Sequence, residues 1–172
     1  MPTLWTVGHS NQPQEGLIDA LLTAGIELLV DVRSFPVSRR NPQFNRDALA
    51  ATLAQHAIEY RHLPELGGFR RAKPDSVNTA LRAPGFRGYA DYTATPEFEA
   101  GLEKLIEAAN EKRTAIMCAE AVPWRCHRSL IADALVARGV EVEHLLGGSR
   151  RRHALSPLAR VENGRVSYPA LL

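Results

Sequence analysis

Residues Leu21–Val32 read LLTAGIELLVDV, and residues Leu135–Leu146 read LVARGVEVEHLL. Both stretches pass from the end of an apolar helical face through one glycine, Gly25 or Gly139, into a run rich in branched side chains. A glycine just past a helix is a stop signal, because it takes the left-handed conformation without a Cβ penalty. The runs that follow, IELLVDV and VEVEHLL, have the length and composition of buried strands. A repeated helix, glycine, strand design is the return half of a βαβ unit, and such units leave successive strands parallel.

Working outward, Thr3 to Val7 forms a short apolar strand, and Pro13 to Ala24 places Leu17, Ile18, Leu21 and Leu22 on one helical face. Asn45 can cap a helix running through Leu49 and Leu53 to His56, and IEYRHL reads as the third strand. Thr95, Pro96 and Glu97 open another helix, TAIMCA is the fourth strand, and a helix starting near Pro123 buries Leu130, Ile131, Ala134 and Leu135. With VEVEHLL as the fifth strand, the pattern predicts one α/β domain over residues 1–172. Right-handed crossovers make it a three-layer, doubly wound, Rossmann-like fold with a mostly parallel five-stranded sheet. Residues 64–94 are Gly- and Arg-rich and aperiodic, and are expected to form a long functional loop or lid. Residues 147–172 form a basic tail carrying Arg150, Arg151, Arg152, Arg160 and Arg165, read as coil or a short edge hairpin.

Composition narrows the setting. With 172 residues, 45% hydrophobic and 23% charged, the chain is an ordinary globular domain, and no apolar run is long enough to span a membrane. The start, MPTLWTVGHSNQ, lacks a basic leader and an apolar signal core, so the expected location is cytoplasmic. Two cysteines are too few for a disulfide framework. Of the 21 basic residues only Lys73, Lys104 and Lys112 are lysine. Arginine grips carboxylates and phosphates with a planar fork, so its location carries the information.

In a parallel sheet the segments following each strand gather along one edge, where such folds bind ligands. The polar motifs fall there: His9, Ser10 and Asn11 after the first strand, Asp31, Arg33 and Ser34 at the second, Glu65 with Gly67 and Gly68 after the third, and Cys118 and Glu120 after the fourth. Residues 118–129, CAEAVPWRCHRS, hold both cysteines. With a helix starting near Trp124, Arg125, Cys126 and His127 occupy its first turn, where free N–H groups and the dipole attract anions. That position lowers the pKa expected for Cys126, while Cys118, ending an apolar strand, reads as buried and inert. Arg125 and Arg128 either hold an anionic partner or pair with Glu120 and Asp31.

These residues admit several chemistries. His9, Asp31 and Glu120 are candidate acids and bases, joined by Cys126 and His127 as catalytic candidates. Ser10, Asn11, Arg33, Arg40, Asn41, Glu65, Arg87, Tyr89, Arg125 and Arg128 are candidate substrate contacts. Around them Phe35, Phe44, Phe69, Phe86 and Tyr92 alternate with arginines, a pattern that stacks bases and holds phosphates. A cysteine phosphatase or sulfurtransferase design is an alternative, but Cys118 to Arg125 is one residue longer than the phosphatase loop, and Glu120 puts a carboxylate inside it. Cys118, Cys126, His127 and His9 could be zinc ligands, yet no C-x-x-C or paired-His spacing occurs and no metal site is assigned. TVGHSNQPQEG does not fit G-x-G-x-x-G, so neither a nicotinamide nor a flavin cofactor is supported, and the cofactor stays open.

The motifs TVGHSN, LLVDVRSFPVSRRNPQFN, LPELGG, FRGYADY and CAEAVPWRCHRSLIADALVARG, in that order from Thr6 to Val142, resemble the family called domain of unknown function 488. The resemblance implies an α/β three-layer fold and a shared polar cluster at His9, Asp31, Arg33, Glu65, Glu120, Cys126, His127 and Arg128. It implies no reaction. The favoured expectation is a small enzyme binding a phosphorylated, nucleotide-like or nucleic-acid substrate at the sheet edge. A noncatalytic nucleic-acid-binding module is the alternative from another class. The expected partner is an anionic small molecule or nucleic acid rather than a membrane, and the oligomeric state is left open.

Overall fold

Strand β1 (Thr3–Gly8) lies at the middle of the sheet in the computed structural model, which describes residues 2–170. It pairs in parallel with β4 (Thr114–Cys118) on one side and β5 (Glu141–Leu146) on the other. Outward from β4 come β2 (Leu28–Asp31) and β3 (Glu59–His62), both parallel. The full order is β3-β2-β4-β1-β5-β6, in which β6 (Ser149–Arg152) pairs antiparallel with β5.

Five α-helices connect and cover these strands: α1 (Gln14–Thr23), α2 (Arg46–Gln55), α3 (Pro84–Tyr92), α4 (Pro96–Glu111) and α5 (Arg128–Val136). Alternate strand residues face opposite ways. Trp5, Val7, Leu29, Ala115 and Met117 pack with Leu17 and Leu21 of α1 and Leu49 and Leu53 of α2. Leu4, Leu28, Val30, Ile116 and Cys118 pack with Leu102 and Leu105 of α4, Leu130 and Leu135 of α5 and Tyr89 of α3. The central strands are therefore buried on both faces, which accounts for their unbroken apolar sequences. No helix among the described residues is long and apolar enough to cross a membrane.

The structure corrects the expected elements in three places. The sheet has six strands, not five: Ser149–Arg152 is fully exposed, so its sequence shows no apolar alternation, and its arginines are the charged side chains that discourage further pairing at an edge. Further along the basic tail, β7 (Arg160–Glu162) and β8 (Arg165–Ser167) form a separate two-stranded hairpin; residues 171–172 of the tail lie outside the described residues. Helix α3 lies inside the segment 64–94, where proline, glycines and aromatics hide its periodicity. Third, Pro123–Arg125 forms a separate 3₁₀ turn, Cys126 returns to extended backbone (φ −133°, ψ 148°), and α5 begins only at Arg128.

The caps differ in kind. Thr95 accepts from the Phe98 N–H at 3.3 Å, as its sequence position predicts. Asn45 precedes α2, but its side-chain oxygen accepts from the Ser38 N–H at 2.6 Å instead, tying the irregular stretch after β2 to the helix.

Candidate functional site

Beyond the carboxyl ends of β1, β2 and β4, a cavity of about 800 Å³ opens, walled by the turns that follow these strands and by Gly85, Phe86 and Tyr89 of α3. Adjacent strands β4 and β1 send their following helices to opposite faces, which creates a crevice between the connections. The crossing is tight. The N–H groups of His9 and Ser10 donate to the carbonyls of Cys118 and Ala119 at 3.0 and 2.9 Å, and a Cβ on Gly8 would collide with the Glu120 carbonyl. Gly8 is therefore what lets the turn after β4 close over the end of β1.

Of the residues singled out by sequence, His9, Ser10, Arg33, Asn41, Tyr89, Glu120, Arg125, Cys126 and His127 meet on the cavity wall. Asn11, Asp31, Arg40, Glu65, Arg87 and Arg128 stand outside it. Asp31 is fully buried and engaged: Arg33 Nε and Nη2 donate to its two oxygens at 2.9 and 2.6 Å, and the Tyr60 hydroxyl donates at 2.5 Å. Burial disfavours charge on Arg33, but Asp31 outweighs it and holds the guanidinium pKa above its ordinary value. Burial and the bond to Asp31 raise the Tyr60 hydroxyl. Glu65 pairs instead with Lys104 at 2.8 Å, and Arg87 donates to the Leu81 carbonyl at 2.9 Å.

The two ring systems are oriented by backbone. His9 Nδ1–H donates to the Ser10 carbonyl at 2.6 Å, leaving Nε2 to face Arg33 Nη1 at 3.4 Å, while the ring stacks on Phe44 at 4.5 Å. His127 Nε2–H donates to the Val32 carbonyl at 2.9 Å, leaving its Nδ1 lone pair 3.5 Å from the Cys126 sulfur. Burial lowers the pKa of both imidazoles, so both rings are neutral at pH 7.

The cysteines occupy the floor. Cys126 Sγ lies 2.6 Å from Cys118 Sγ, and both thiols are free and border the cavity. Burial opposes a thiolate at Cys118, but the Cys126 thiol donating to it and the nearby Arg128 charge outweigh that cost and lower its pKa. Cys126 is pushed up by its bond to Cys118 and by burial. Cys126 itself lies just before the helix, where its sulfur accepts from the Arg128 N–H of the first turn at 3.4 Å, so both sulfurs meet charge-stabilising groups.

Arg128 supplies the field from beneath. Its side chain is completely buried, Nη2 donates to the Ala121 carbonyl at 2.9 Å, and Nε and Nη1 have no hydrogen-bond partner. Among the described residues no ion pair joins Arg125 or Arg128 to a carboxylate; Asp31 takes Arg33. A buried, half-satisfied guanidinium is costly without a nearby negative charge, which a thiolate on either neighbouring sulfur would supply. No group of three or more His, Cys, Asp or Glu is arranged to hold a metal ion among the described residues.

Of the apolar wall, sequence reasoning singles out Phe35, Phe69, Phe86 and Tyr89 and misses Val37. Phe35, Val37, Phe69, Phe86 and Tyr89 line the cavity, with Ser34, Ser38 and Gly68 between them. Gly68 has a local signal: it follows Gly67 after β3, and a Cβ there would press to 3.2 Å from His127 Nδ1. Cys118 had a signal too, its place at the carboxyl end of a central strand.

No curated protein and no solved structure matches the chain. The model of the family described as Domain of unknown function DUF488 matches residues 14–135, a span holding both cysteines, Arg33, His127 and Arg128, and the chain belongs to that family.

Proposed function

We propose that the protein is a thiol-dependent enzyme that holds an anionic substrate at the carboxyl edge of a doubly wound, Rossmann-like fold and attacks it with the Cys118 thiolate. The observation that carries this reading is the direct contact of the Cys118 and Cys126 sulfurs on the cavity floor, near the buried, half-satisfied guanidinium of Arg128. A neighbouring proton donor and a nearby cation are the two devices that make a thiol nucleophilic near neutral pH. In the covalent step, a bond forms between Cys118 Sγ and the electrophilic atom of the substrate. The bond to the leaving group breaks, and that group departs with its electron pair and takes the Cys126 thiol proton. Water then cleaves the thio-adduct, returning a proton to Cys126 and regenerating Cys118.

Arg125 borders the same cavity without a carboxylate partner and suits the substrate's negative charge. His9 and Glu120, also on the wall, are positioned to accept the proton of the attacking water. Asp31 is assigned no proton transfer, because Arg33 and Tyr60 occupy its oxygens. The reading places the protein in a reducing compartment such as the cytoplasm, where both thiols stay free. A noncatalytic surface tracking a polyanion is less favoured, since Arg70 is spent over the Tyr92 ring and on the Gly67 carbonyl, and Arg87 on Leu81.

The test is alkylation of each cysteine against pH, followed by mass spectrometry of the separate peptides. Cys118 is expected to react with a midpoint below the ordinary value of about 8.5, and Cys126 to react slowly throughout. Two thiols with ordinary or raised midpoints would make the pair structural and remove the reading.

A further inference from the structure

Two phenylalanines stand open to water at the mouth of this cavity. Phe35 is 74% and Phe69 91% exposed, and their ring centroids lie 6.5 Å apart with 38° between the planes. A single exposed aromatic needs no explanation, but two rings facing one another across a cavity mouth mark a contact surface. The backbone holds them there. Phe69 has φ +61°, a left-handed conformation that is unfavourable for a bulky residue and persists only where the surroundings enforce it. The Ser34 hydroxyl, one residue before Phe35, donates to the Gly68 carbonyl, one residue before Phe69, at 2.7 Å. One hydrogen bond therefore ties together the two segments that carry the rings.

The gap has a chemical meaning. A flat ring in van der Waals contact on both faces needs about 7 Å between the flanking rings, twice the optimal carbon separation of roughly 3.5 Å. A centroid spacing of 6.5 Å with a modest tilt accepts such a ring after a small side-chain adjustment. The buried aromatic contacts nearby are of a different kind: Tyr89 and Tyr92 both meet Phe98 edge to face at 6.0 Å, packed against each other with no space for a third ring. The same cavity is lined by the polar groups of Ser38 and Asn41 and by Arg125, which has no ion-pair partner among the described residues. A planar ring, a hydroxylated middle and an anionic end describe a nucleotide.

We infer that the cavity binds a mononucleotide, its base inserted between Phe35 and Phe69 and its phosphate directed to Arg125. The inference deepens the thiol-enzyme reading by naming the class of its substrate, and it shares with that reading the assignment of this cavity as the substrate site.

The experiment is calorimetric titration of the full chain with each common nucleoside 5′-monophosphate, with ribose 5-phosphate, inorganic phosphate and a short oligothymidylate as comparators. At least one mononucleotide is expected to bind at least tenfold more tightly than ribose 5-phosphate. Phe35→Ala and Phe69→Ala, both at exposed positions, should each weaken it about tenfold, in line with the cost of losing one base-stacking partner. Arg125→Ala should weaken the nucleotide and leave the parent nucleoside unchanged. Equal binding of ribose 5-phosphate, indifference to Phe69→Ala, or no mononucleotide binding at millimolar concentration overturns the inference. Oligothymidylate binding far more tightly than every mononucleotide overturns it in favour of single-stranded nucleic acid. Running the titrations on Cys118→Ser as well separates the two readings. Phe69-dependent nucleotide binding there upholds the inference whatever the reactivity of Cys118, and an activated Cys118 with no nucleotide binding leaves the thiol reading standing alone.

Discussion

The Cys126 thiol meets the sulfur of Cys118 across 2.6 Å, and the two have opposite acidities, Cys118 lowered and Cys126 raised. One proton shared between two sulfurs favours a state with one thiolate and one thiol. In the proposed mechanism Cys118 takes the charge, favoured by Cys126 and by Arg128, while Cys126 keeps a proton that it can give to Cys118 or to His127 Nδ1, 3.5 Å away.

Removing the donor should therefore weaken the nucleophile. In Cys126→Ala, Cys118 is the only remaining thiol, and its alkylation midpoint is expected to rise toward the ordinary value of roughly 8.5. An unchanged midpoint would assign the whole effect to Arg128.

Arg128 separates reactivity from stability. Its Nε and Nη1 lack partners in a completely buried site, so replacing the guanidinium by an apolar chain removes a charge that packing does not compensate. Arg128→Met is expected to change unfolding stability by no more than about 1 kcal/mol in either direction, because burying an apolar chain of similar reach offsets the lost bond to Ala121. The Cys118 midpoint should rise in the same variant. Urea denaturation and alkylation on one preparation check both, and a loss above about 3 kcal/mol would mean that the cation is a structural partner.

Arg33 should behave in the opposite way. Asp31 is fully buried, and Arg33→Ala leaves its carboxylate without a cation, held only by the Tyr60 hydroxyl and the N–H of residue 33, so a loss of about 3–5 kcal/mol is expected. Asp31→Asn added to Arg33→Ala should recover part of that loss, and the double-mutant cycle measures the coupling. Additive single effects would show that the two side chains stabilise the fold independently.

How much of this was legible in the sequence follows from which signals are local. Gly25 and Gly139 both take positive φ, 71° and 84°, as the helix, glycine, strand repeat requires, and the parallel central strands follow from their apolar runs. The gathering of His9, Cys118, Glu120 and His127 at one sheet edge was legible for the same reason, since parallel strands share a direction. The exposed edge strand Ser149–Arg152 was not, because an edge without a buried face carries no alternation. The partner of Asp31 was not either: Arg33, Arg125 and Arg128 are equivalent by type, and only the backbone between residues 31 and 33 brings one of them into a two-point contact. The local backbone at Cys126 was not legible: Pro123–Arg125 winds as 3₁₀ and releases Cys126 to extended backbone, so that α5 begins at Arg128 rather than near Trp124.

The last prediction concerns pH and a second polar chain, away from the cavity. Thr6 Oγ1 contacts His144 Nδ1 at 2.5 Å, His144 Nε2 meets His153 Nδ1 at 2.8 Å, His153 Nε2 reaches Asp133 at 2.7 Å, and the Tyr168 hydroxyl donates to the other Asp133 oxygen at 2.6 Å. Burial, together with the charges of His153, Arg128 and Arg151 and against the opposing pull of Asp133, holds His144 down to about 3. His9 and His127 are likewise lowered, mainly by burial. A histidine whose folded pKa lies below its unfolded value of about 6.5 binds protons more readily in the unfolded chain. Its contribution is fully present above pH 6.5 and is lost as the pH falls toward the folded value. The carboxylates held below their ordinary range, Glu65 by Lys104, Glu99 by Arg138, and Asp91 by Ser76, Lys73 and Asn78 despite its burial, also lose stability on acidification, but only as the pH approaches about 4.5. Urea unfolding between pH 7.5 and 5 therefore isolates the histidines. Stability is expected to fall steadily below pH 6.5, and His144→Gln, whatever its absolute stability, should show a shallower slope. A flat profile across that window would mean that these imidazoles take up protons as readily in the folded chain as in the unfolded one.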